Sequence, residues 1–545
     1  MKVDRVGERL PPVGVGILMF VLLLQACIAP DRQYDLVKIY EDHPVPELSP
    51  NLDIADLPAP EWTDPAPLPS IDQGRVALSI EQAVLLTLRR NRELQVERFE
   101  PAIAGAFEQL ERGVFDPDLF AELTYSEETA IETARSTGER FSVEAEDKDV
   151  EFGLRQQLPT GTDLEASLGY ARSNSNRTPE QQAVRAGLTI TQSLLEGFGP
   201  AVNLVDIRQA QLGTQASLYE LRGFVEALVA ETEIGYWRYV LAGGQIEIFE
   251  QSLNIARRQL DEVEQRIEVG ALARNAAAAA RAEVARREQA LLEVRSILED
   301  RRLRLLRLMN ASTDEQFRLE VEPTSPAQTT SDPLPDLDER LALADRMRPD
   351  LNEARLRLEQ DQLEVVRTRI GLLPKLDVFI NLGKTGYAES FSQSFRNLDD
   401  DSYDLAAGIR FSASLGKRQD RARDLVARAS RDQAEAAVGN LGNLVQLDVR
   451  LALNQTERAR QQIQAGAVTR ALQEQTLEAE QERFSVGTST SLLVAQTQRD
   501  LLVSQLAEIE AIVNYRIALA SLYLAEGTLL QRRGIRLPGT GQSSI

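Results

Sequence analysis

The chain has 545 residues, a formal net charge of −23 and only 5 % aromatic residues. Acidity on this scale argues against a nucleic-acid partner, because nucleic-acid surfaces need clustered Lys and Arg. The single histidine, His43, and the single cysteine, Cys27, disfavour histidine-based catalysis, disulfides and zinc sites. We therefore expect neither an enzyme nor a protein with a metal or other cofactor.

The amino-terminal residues have the form of a bacterial export signal. Basic residues precede an apolar run over residues 13–24, which is too short for a stable membrane-spanning helix. The run ends in Leu-Gln-Ala-Cys, which resembles a lipobox, and Ile28 is not the aspartate that commonly retains lipoproteins in the inner membrane. We expect residues 1–26 to be a lipoprotein signal peptide and Cys27 to carry lipid. An ordinary signal peptide with an incidental cysteine is the alternative.

Residues 27–77 are rich in proline, which opposes regular helix and predicts an extended strap. A first structural repeat is expected over residues 78–310. It opens with a helix that Ser79 caps and that continues to about Arg112. No later apolar stretch reaches eighteen residues, so the sequence predicts no transmembrane helix.

Strand-like alternation follows the Asp116-Pro117 turn. The predicted strands cover residues 119–125, 150–158, 162–171 and 184–194, with a turn at Pro159-Thr160-Gly161. Strands of about nine to eleven residues match a membrane crossing in a tilted barrel. A soluble β-subdomain fits the same periodicity.

Two long helical hairpins of one design follow. Residues 201–267 would form a helix about 100 Å long at 1.5 Å per residue. In the second hairpin, residues 417–527 fold back at residues 484–488, and Ile463, Leu477 and Phe484 lie at heptad-compatible spacings. Helices of this length need partners along their length, so a coiled-coil assembly or a tube is expected.

The two halves of the chain form a parallel internal repeat. Matching residues are Leu94 and Leu351, which differ by 257, Gly187 and Gly408, which differ by 221, and Gly270 and Gly487, which differ by 217. The first half is longer by 36 residues (257 − 221), which we assign to an extra hairpin around Pro159. The second repeat covers residues 339–527, after an equatorial linker at residues 311–338, and residues 528–545 form a flexible tail.

These motifs, in this order and twice over, resemble TolC-like outer membrane factors, the outer membrane efflux protein family. The resemblance is carried by Ser79-Ile80-Glu81-Gln82-Ala83-Val84, Asn91-Arg92-Glu93-Leu94, Arg348-Pro349-Asp350-Leu351, Glu196-Gly197-Phe198-Gly199, Val269-Gly270-Ala271 and Val486-Gly487-Thr488. It implies an α+β fold: duplicated long α-helical coiled-coil hairpins form a trimeric α-barrel, continuous with a transmembrane antiparallel β-barrel, with small equatorial segments. Family chains usually have four strands, and the extra hairpin departs from that number.

The resemblance also implies a function and partners. A homotrimer, lipid-anchored in the outer membrane and extending into the periplasm, would be the passive exit duct of a tripartite efflux or type I secretion system. Its partners would be a periplasmic adaptor protein and an inner-membrane RND or ABC transporter. A non-conducting periplasmic coiled-coil scaffold lipoprotein and an envelope hydrolase are the alternatives.

Two sets of site residues follow from the resemblance. The adaptor-contact tips are Val269, Gly270, Ala271, Val486, Gly487 and Thr488, although a plain helix break makes the same shape without a partner. The periplasmic aperture maps to Phe484, Ser489, Leu493 and Gln496. Family members often have a ring of aspartates here, whereas this chain has Leu493 and Gln496, so we expect an apolar or amide-lined constriction.

Overall fold

The computed structural model describes residues 59–537, apart from residues 63–65, 70, 73, 134, 136, 271–272, 275, 312 and 328–335. All described elements belong to one unit, Ser49–Ile545. The predicted signal peptide, Cys27, most of the strap, Ala271 and the end of the predicted tail lie outside the described residues.

The described strands and helices alternate in the order that the internal repeat predicts. The strands are β1 (Glu61–Trp62), β2 (Ile71–Asp72), β3 (Arg75–Leu78), β4 (Asp118–Thr133), β5 (Arg140–Leu158), β6 (Thr162–Ser175), β7 (Gln181–Ser193), β8 (Glu320–Pro323), β9 (Lys375–Ala388), β10 (Tyr403–Ser412) and β11 (Ile535–Arg536). The helices are α1 (Ile80–Arg90), α2 (Arg92–Glu97), α3 (Glu100–Arg112), α4 (Pro200–Asn203), α5 (Val205–Glu268), α6 (Ala276–Leu308), α7 (Asp314–Phe317), α8 (Leu337–Met347), α9 (Pro349–Ile370), α10 (Phe391–Arg396), α11 (Arg418–Ser485), α12 (Ser491–Ala525) and α13 (Leu529–Arg532). None of the described helices is both long and apolar enough for a membrane crossing.

Three helices stand where one helix up to Arg112 is predicted. The predicted cap is confirmed: the Ser79 hydroxyl accepts a 3.2 Å hydrogen bond from the amide of Gln82. The prediction of a single long helix is wrong, because Asn91 ends α1 and caps the next helix, α2. Its carboxamide oxygen accepts a 3.0 Å hydrogen bond from the amide of Leu94.

The long strands form one antiparallel sheet in the order β10-β9-β7-β6-β5-β4. The first repeat therefore supplies four strands and the second supplies two. The observed strands are longer than predicted, and β4 has 16 residues. The extra hairpin is present as β5 and β6, with its turn at Gly161, where a positive φ of 80° suits glycine. The turn is fixed in place, because the side chain of Asn203 donates hydrogen bonds to the carbonyls of Pro159 (3.0 Å) and Gly197 (2.9 Å).

Two helical hairpins make up most of the remaining structure. Helix α5 has 64 residues and spans about 96 Å at 1.5 Å per residue, which agrees with the predicted length. Helix α11 has 68 residues. The second helices of the two hairpins, α6 and α12, have only 33 and 35 residues. The partners therefore cover only the half of each long helix nearest the turn. The other halves of α5 and α11 pack against α9, and α5 also packs against α3.

Short elements, which we call the equatorial segments, pack near the middle of the long helices. They are β1, β2, β3, β8, α8, α13 and β11. Strand β8 pairs in parallel with β3, and β1 pairs with β11, so the predicted strap and linker both contribute strands. The prediction of a flexible tail is wrong for residues 528–537. Leu530, Ile535 and Leu537 are buried in one apolar cluster with Val84 and Val225. The polar composition of the tail as a whole gives no indication of this contact.

Candidate functional sites: the helical tips and the equatorial ion pairs

Both hairpins reverse at the predicted glycines. Gly270 and Gly487 have φ angles of 78° and 81°, a left-handed conformation that costs a side-chain-bearing residue about 1–2 kcal/mol. The residue before each glycine, Val269 or Val486, ends its long helix and exposes 80 % or 73 % of its surface to solvent. Apolar side chains held this far out of the core are available for contact with another molecule.

Phe484 does not line an aperture in this structure, and that part of the prediction is wrong. Its ring is only 6 % exposed and packs against Val263, Leu477, Val494 and Leu501, which come from α5, α11 and α12. The physical reason is its heptad position, which directs the ring into the seam between the two hairpins. Phe484 is thus a core residue that joins the hairpins near their tips.

A cation from the first hairpin reaches Phe484. The guanidinium carbon of Arg266, on α5, lies 4.5 Å from the centre of the Phe484 ring. The same side chain donates a 3.3 Å hydrogen bond to the Phe484 carbonyl and a 2.6 Å hydrogen bond to Glu262. Sequence reasoning missed Arg266, because nothing in the spacing of α5 indicates which side of it faces α11.

The remaining predicted aperture residues lie on or before α12. Leu493 and Gln496 are exposed and three residues apart, so they share one side of the helix. Ser489 is half-buried, and its hydroxyl donates to the carboxylate of Glu480 at the end of α11. The described part of the tip therefore presents an apolar and an amide side chain together, with the carboxylate of Glu480 held by the serine.

Buried ion pairs lie at the base of the hairpins: one is within α5, and two join the hairpins to the equatorial segments. The pairs are Arg222 with Glu226, Arg533 with Glu233, and Arg340 with Glu526. Arg222 also donates a 2.9 Å hydrogen bond to the carbonyl of Gly527, just beyond the end of α12. Breaking a buried pair by removing one partner typically costs about 3–5 kcal/mol, so these contacts fix the base of α12 firmly.

Glu226 has an unusual environment for a carboxyl group. Burial raises its pKa to about 7, although the charge and hydrogen bond of Arg222 act in the opposite direction. The side chain is almost fully enclosed, with 1 % exposure. The signal in the sequence is weak: Arg222 and Glu226 are four residues apart at positions where α5 otherwise buries apolar side chains.

The described residues contain no group of three or more His, Cys, Asp and Glu side chains arranged to hold a metal ion. The site consists of exposed valines beside glycine turns at the tips, a cation–π contact between the two hairpins, and buried ion pairs at their base. The contacts around Phe484 hold the two helical hairpins together near their tips.

Solved structures of outer-membrane channels share this fold. The channel OprN matches with a TM-score of 0.63 at 18 % identity, covering 87 % of this chain and 95 % of its own. The CmeC outer membrane channel of Campylobacter jejuni matches at 0.59 and 15 %, covering 85 % and 90 %. The open MtrE channel of Neisseria gonorrhoeae matches at 0.58 and 16 %, covering 86 % and 96 %. A search of curated proteins found no match.

A sequence comparison settles the family. The family model described as outer membrane efflux protein matches residues 140–311 and 341–528, which together make up well over half of the chain. The first match begins at β5 and the second at α8, so it includes both helical hairpins. The predicted resemblance is confirmed, as is the α+β fold with duplicated long helices. This chain belongs to the outer membrane efflux protein family.

Proposed function

We propose that three copies of this chain form the passive exit duct of a tripartite efflux or type I secretion system in a bacterial outer membrane. The supporting observation is the pair of helical hairpins with exposed glycine tips, in a chain of the outer membrane efflux protein family. An inner-membrane RND or ABC transporter supplies the energy, and the duct itself performs no catalysis.

Apolar side chains left exposed on the long helices support a trimer. They include Phe107 and Leu110 on α3, and Leu425, Leu447 and Leu451 on α11, each at least half exposed. Exposed apolar rows of this kind mark interaction surfaces. We assign them to contacts between copies, which bury these rows and close the helices around a hollow.

The tips are the surface that we assign to a periplasmic adaptor protein. Val269 and Val486 supply apolar contact, and Gly270 and Gly487 make the tight reversals. We assign Thr488 and, from the sequence alone, Ala271 to the same contact surface. Leu493 and Gln496 narrow the periplasmic aperture inside these tips. Because neither side chain is charged, we expect closure without a strong preference between cations and anions at this point.

Cys27 is the proposed site of lipid attachment. Each methylene that enters the membrane contributes about 0.8 kcal/mol, so several acyl chains anchor a protein firmly. Incorporation of labelled palmitate by the native chain, and its loss in Cys27→Ala, would support the anchor. Equal labelling of both proteins would rule it out.

Two measurements test the proposed duct. Purified protein in planar bilayers should behave as a trimer that conducts ions. In cells, a cysteine at Val486 should crosslink to an adaptor protein, whereas a cysteine at Leu415, which is fully exposed at the opposite end of α11, should not. A trimer that never conducts would favour the non-conducting scaffold, and a stable monomer without detergent would overturn the duct altogether.

A further inference from the structure

In the half of the sheet nearest the helices, the six long strands share one mainly apolar and one mainly polar face. Directly opposed residues in an antiparallel sheet point to the same side, so the register defines each face. One row across all six strands reads Leu119, Leu154, Ala166, Leu188, Leu382 and Leu405. The adjacent row, on the other face, reads Phe120, Gly153, Ser167, Gly187, Gly383 and Asp404. Such alternation suits a wall with lipid on one side and water on the other.

The inserted hairpin is part of this wall. Strand β5 pairs with β4 and with β6, and β6 pairs with β7 over most of its length. Residues 140–175 of β5, β6 and their turn number 36 (175 − 140 + 1), which equals the surplus of the first repeat. The insertion therefore lengthens the sheet by two strands and does not fold into the space beside it.

The sheet has two unpaired edges in the described chain, and they are complementary. Strand β4 follows α3 and runs away from the helices, whereas β10 runs back towards them and leads into α11. An unpaired edge strand presents free backbone N–H and C=O groups that can pair with a strand of another chain. Copies arranged in a ring can pair β4 of one with β10 of the next in antiparallel fashion, so strand direction keeps alternating around the whole closed sheet.

Among the described elements, four long helices per copy connect to the sheet at its tunnel end, whereas the short helix α10 packs on β7 and β9. Helices α3 and α9 lead into β4 and β9, and α5 and α11 follow β7 and β10. The β5–β6 turn has no helix of its own and is docked on the segment around Asn203. Each copy thus contributes six strands to the sheet and four helices to the tunnel wall. This ratio sets the width of the sheet relative to that of the tunnel.

The two perimeters can be compared. Eighteen strands about 4.8 Å apart and tilted by about 40° occupy a perimeter of about 113 Å, whereas twelve strands occupy about 75 Å. Twelve helices packed about 9.5 Å apart occupy about 114 Å. The inserted hairpins therefore bring the sheet to the width of the helical tunnel, where a sheet of four strands per chain would be a constriction.

We propose that the inserted hairpin removes the narrowing at the sheet, so that this duct passes bulky hydrophilic cargo of polypeptide dimensions. The proposal rests on the proposed function as a trimeric duct. A backbone perimeter of about 113 Å leaves a lumen about 25 Å wide after side chains are counted, against about 14 Å for twelve strands. Most side chains on the lumen-facing rows are small or polar, with isolated rings at Phe120 and Phe379, so they offer little continuous apolar surface on which a polypeptide would be retained.

Polymer exclusion in planar bilayers tests the width. Polyethylene glycols of graded size are added on the side of the sheet to the full-length protein and to a variant lacking residues 140–175. We expect polymers up to about 20 Å across to reduce the current of the native protein, and the variant to exclude them and conduct two- to threefold less. Native protein that already excludes polymers wider than about 14 Å would overturn the proposal.

A second measurement keeps the test decisive when the deletion variant does not assemble. Asp149 and Val150 are neighbours on β5 that point to opposite faces. A membrane-impermeant charged thiol reagent should reduce the current of Asp149→Cys and leave that of Val150→Cys unchanged. Equal effects on both would place the hairpin outside the wall. Absence of current in every protein, including the native one, would instead defeat the proposed duct itself.

Discussion

The guanidinium of Arg266 lies over the ring of Phe484, with 4.5 Å between the guanidinium carbon and the ring centre. The two residues belong to different hairpins, α5 and α11, and both lie within a few residues of a tip. Since Arg266 also donates a hydrogen bond to the Phe484 carbonyl, this contact fastens the two hairpins together where the proposed aperture lies.

Replacement of Arg266 by alanine should loosen that end of the duct. A cation–π contact of this kind contributes about 1 kcal/mol, which corresponds to about a fivefold change in a two-state equilibrium. We expect the open probability of Arg266→Ala in planar bilayers to rise several-fold. Arg281→Ala is the matched control, because Arg281 pairs with Glu264 at 2.7 Å within the first hairpin alone. Equal leakage from both variants would contradict this role.

Gly487→Ala should impair docking at the tip without unfolding the helices. The φ of 81° opposes any side chain and costs about 1–2 kcal/mol, although the structure leaves open space around the position. We expect lower crosslinking yield from a cysteine at Val486 to the adaptor. Gly439→Ala, in the middle of α11 and also with open space around it, should leave docking intact and stabilise the helix slightly. Unchanged yield in Gly487→Ala would show that the turn geometry is dispensable.

The lumen of the sheet should prefer cations. Asp149 and Glu151 lie on the polar face of β5, whereas Glu144 and Glu146 lie on its other face. The doubly neutralised variant Asp149→Asn/Glu151→Gln should lower the permeability ratio of potassium to chloride, measured as a reversal potential across a salt gradient. Glu144→Gln/Glu146→Gln removes the same charge and should leave the ratio unchanged. A similar drop in both would mean that net charge, not the face, determines selectivity.

Glu226 should make stability depend on pH. Its pKa is raised to about 7 by burial, so the folded protein binds this proton more tightly than the unfolded chain does between about pH 4.5 and 7. That contribution is complete below about pH 4.5 and is lost as the pH rises through 7. Glu226→Gln should therefore reduce the fall in Tm between pH 5 and pH 8.

The control for this measurement is Glu231→Gln, an exposed position on the same helix. Its Tm should keep the pH dependence of the native protein. If Glu226→Gln and Glu231→Gln show the same pH profile, the proton bound between pH 4.5 and 7 belongs to another group.

Local signals in the sequence predicted much of the fold. Ser79 caps a helix because its hydroxyl and the following residues suffice for the cap, and Gly270 and Gly487 reverse the chain because a positive φ favours glycine. The length difference between the repeats likewise predicts the inserted hairpin. Each of these inferences depends on a few neighbouring residues or on simple counting.

The errors have a different origin. The burial of Phe484 and its contact with Arg266 depend on how one hairpin is rotated against the other, and a heptad pattern does not specify that rotation. Ile535 is buried by partners hundreds of residues earlier, so the composition of the tail carries no sign of it. The sequence likewise does not predict the burial of the Glu226 carboxylate, since a charged residue in a long helix usually faces water.

The pairing of β1 with β11 has a consequence for biogenesis. Trp62 and Ile535 are partners across 473 positions (535 − 62), one of the largest loop closures available to this chain. This corner of the molecule cannot form until nearly the entire polypeptide has been synthesised and exported. A chain that stops before Gly534 would leave β1 without its partner strand, and its unpaired backbone groups would allow proteases to distinguish unfinished copies from complete ones.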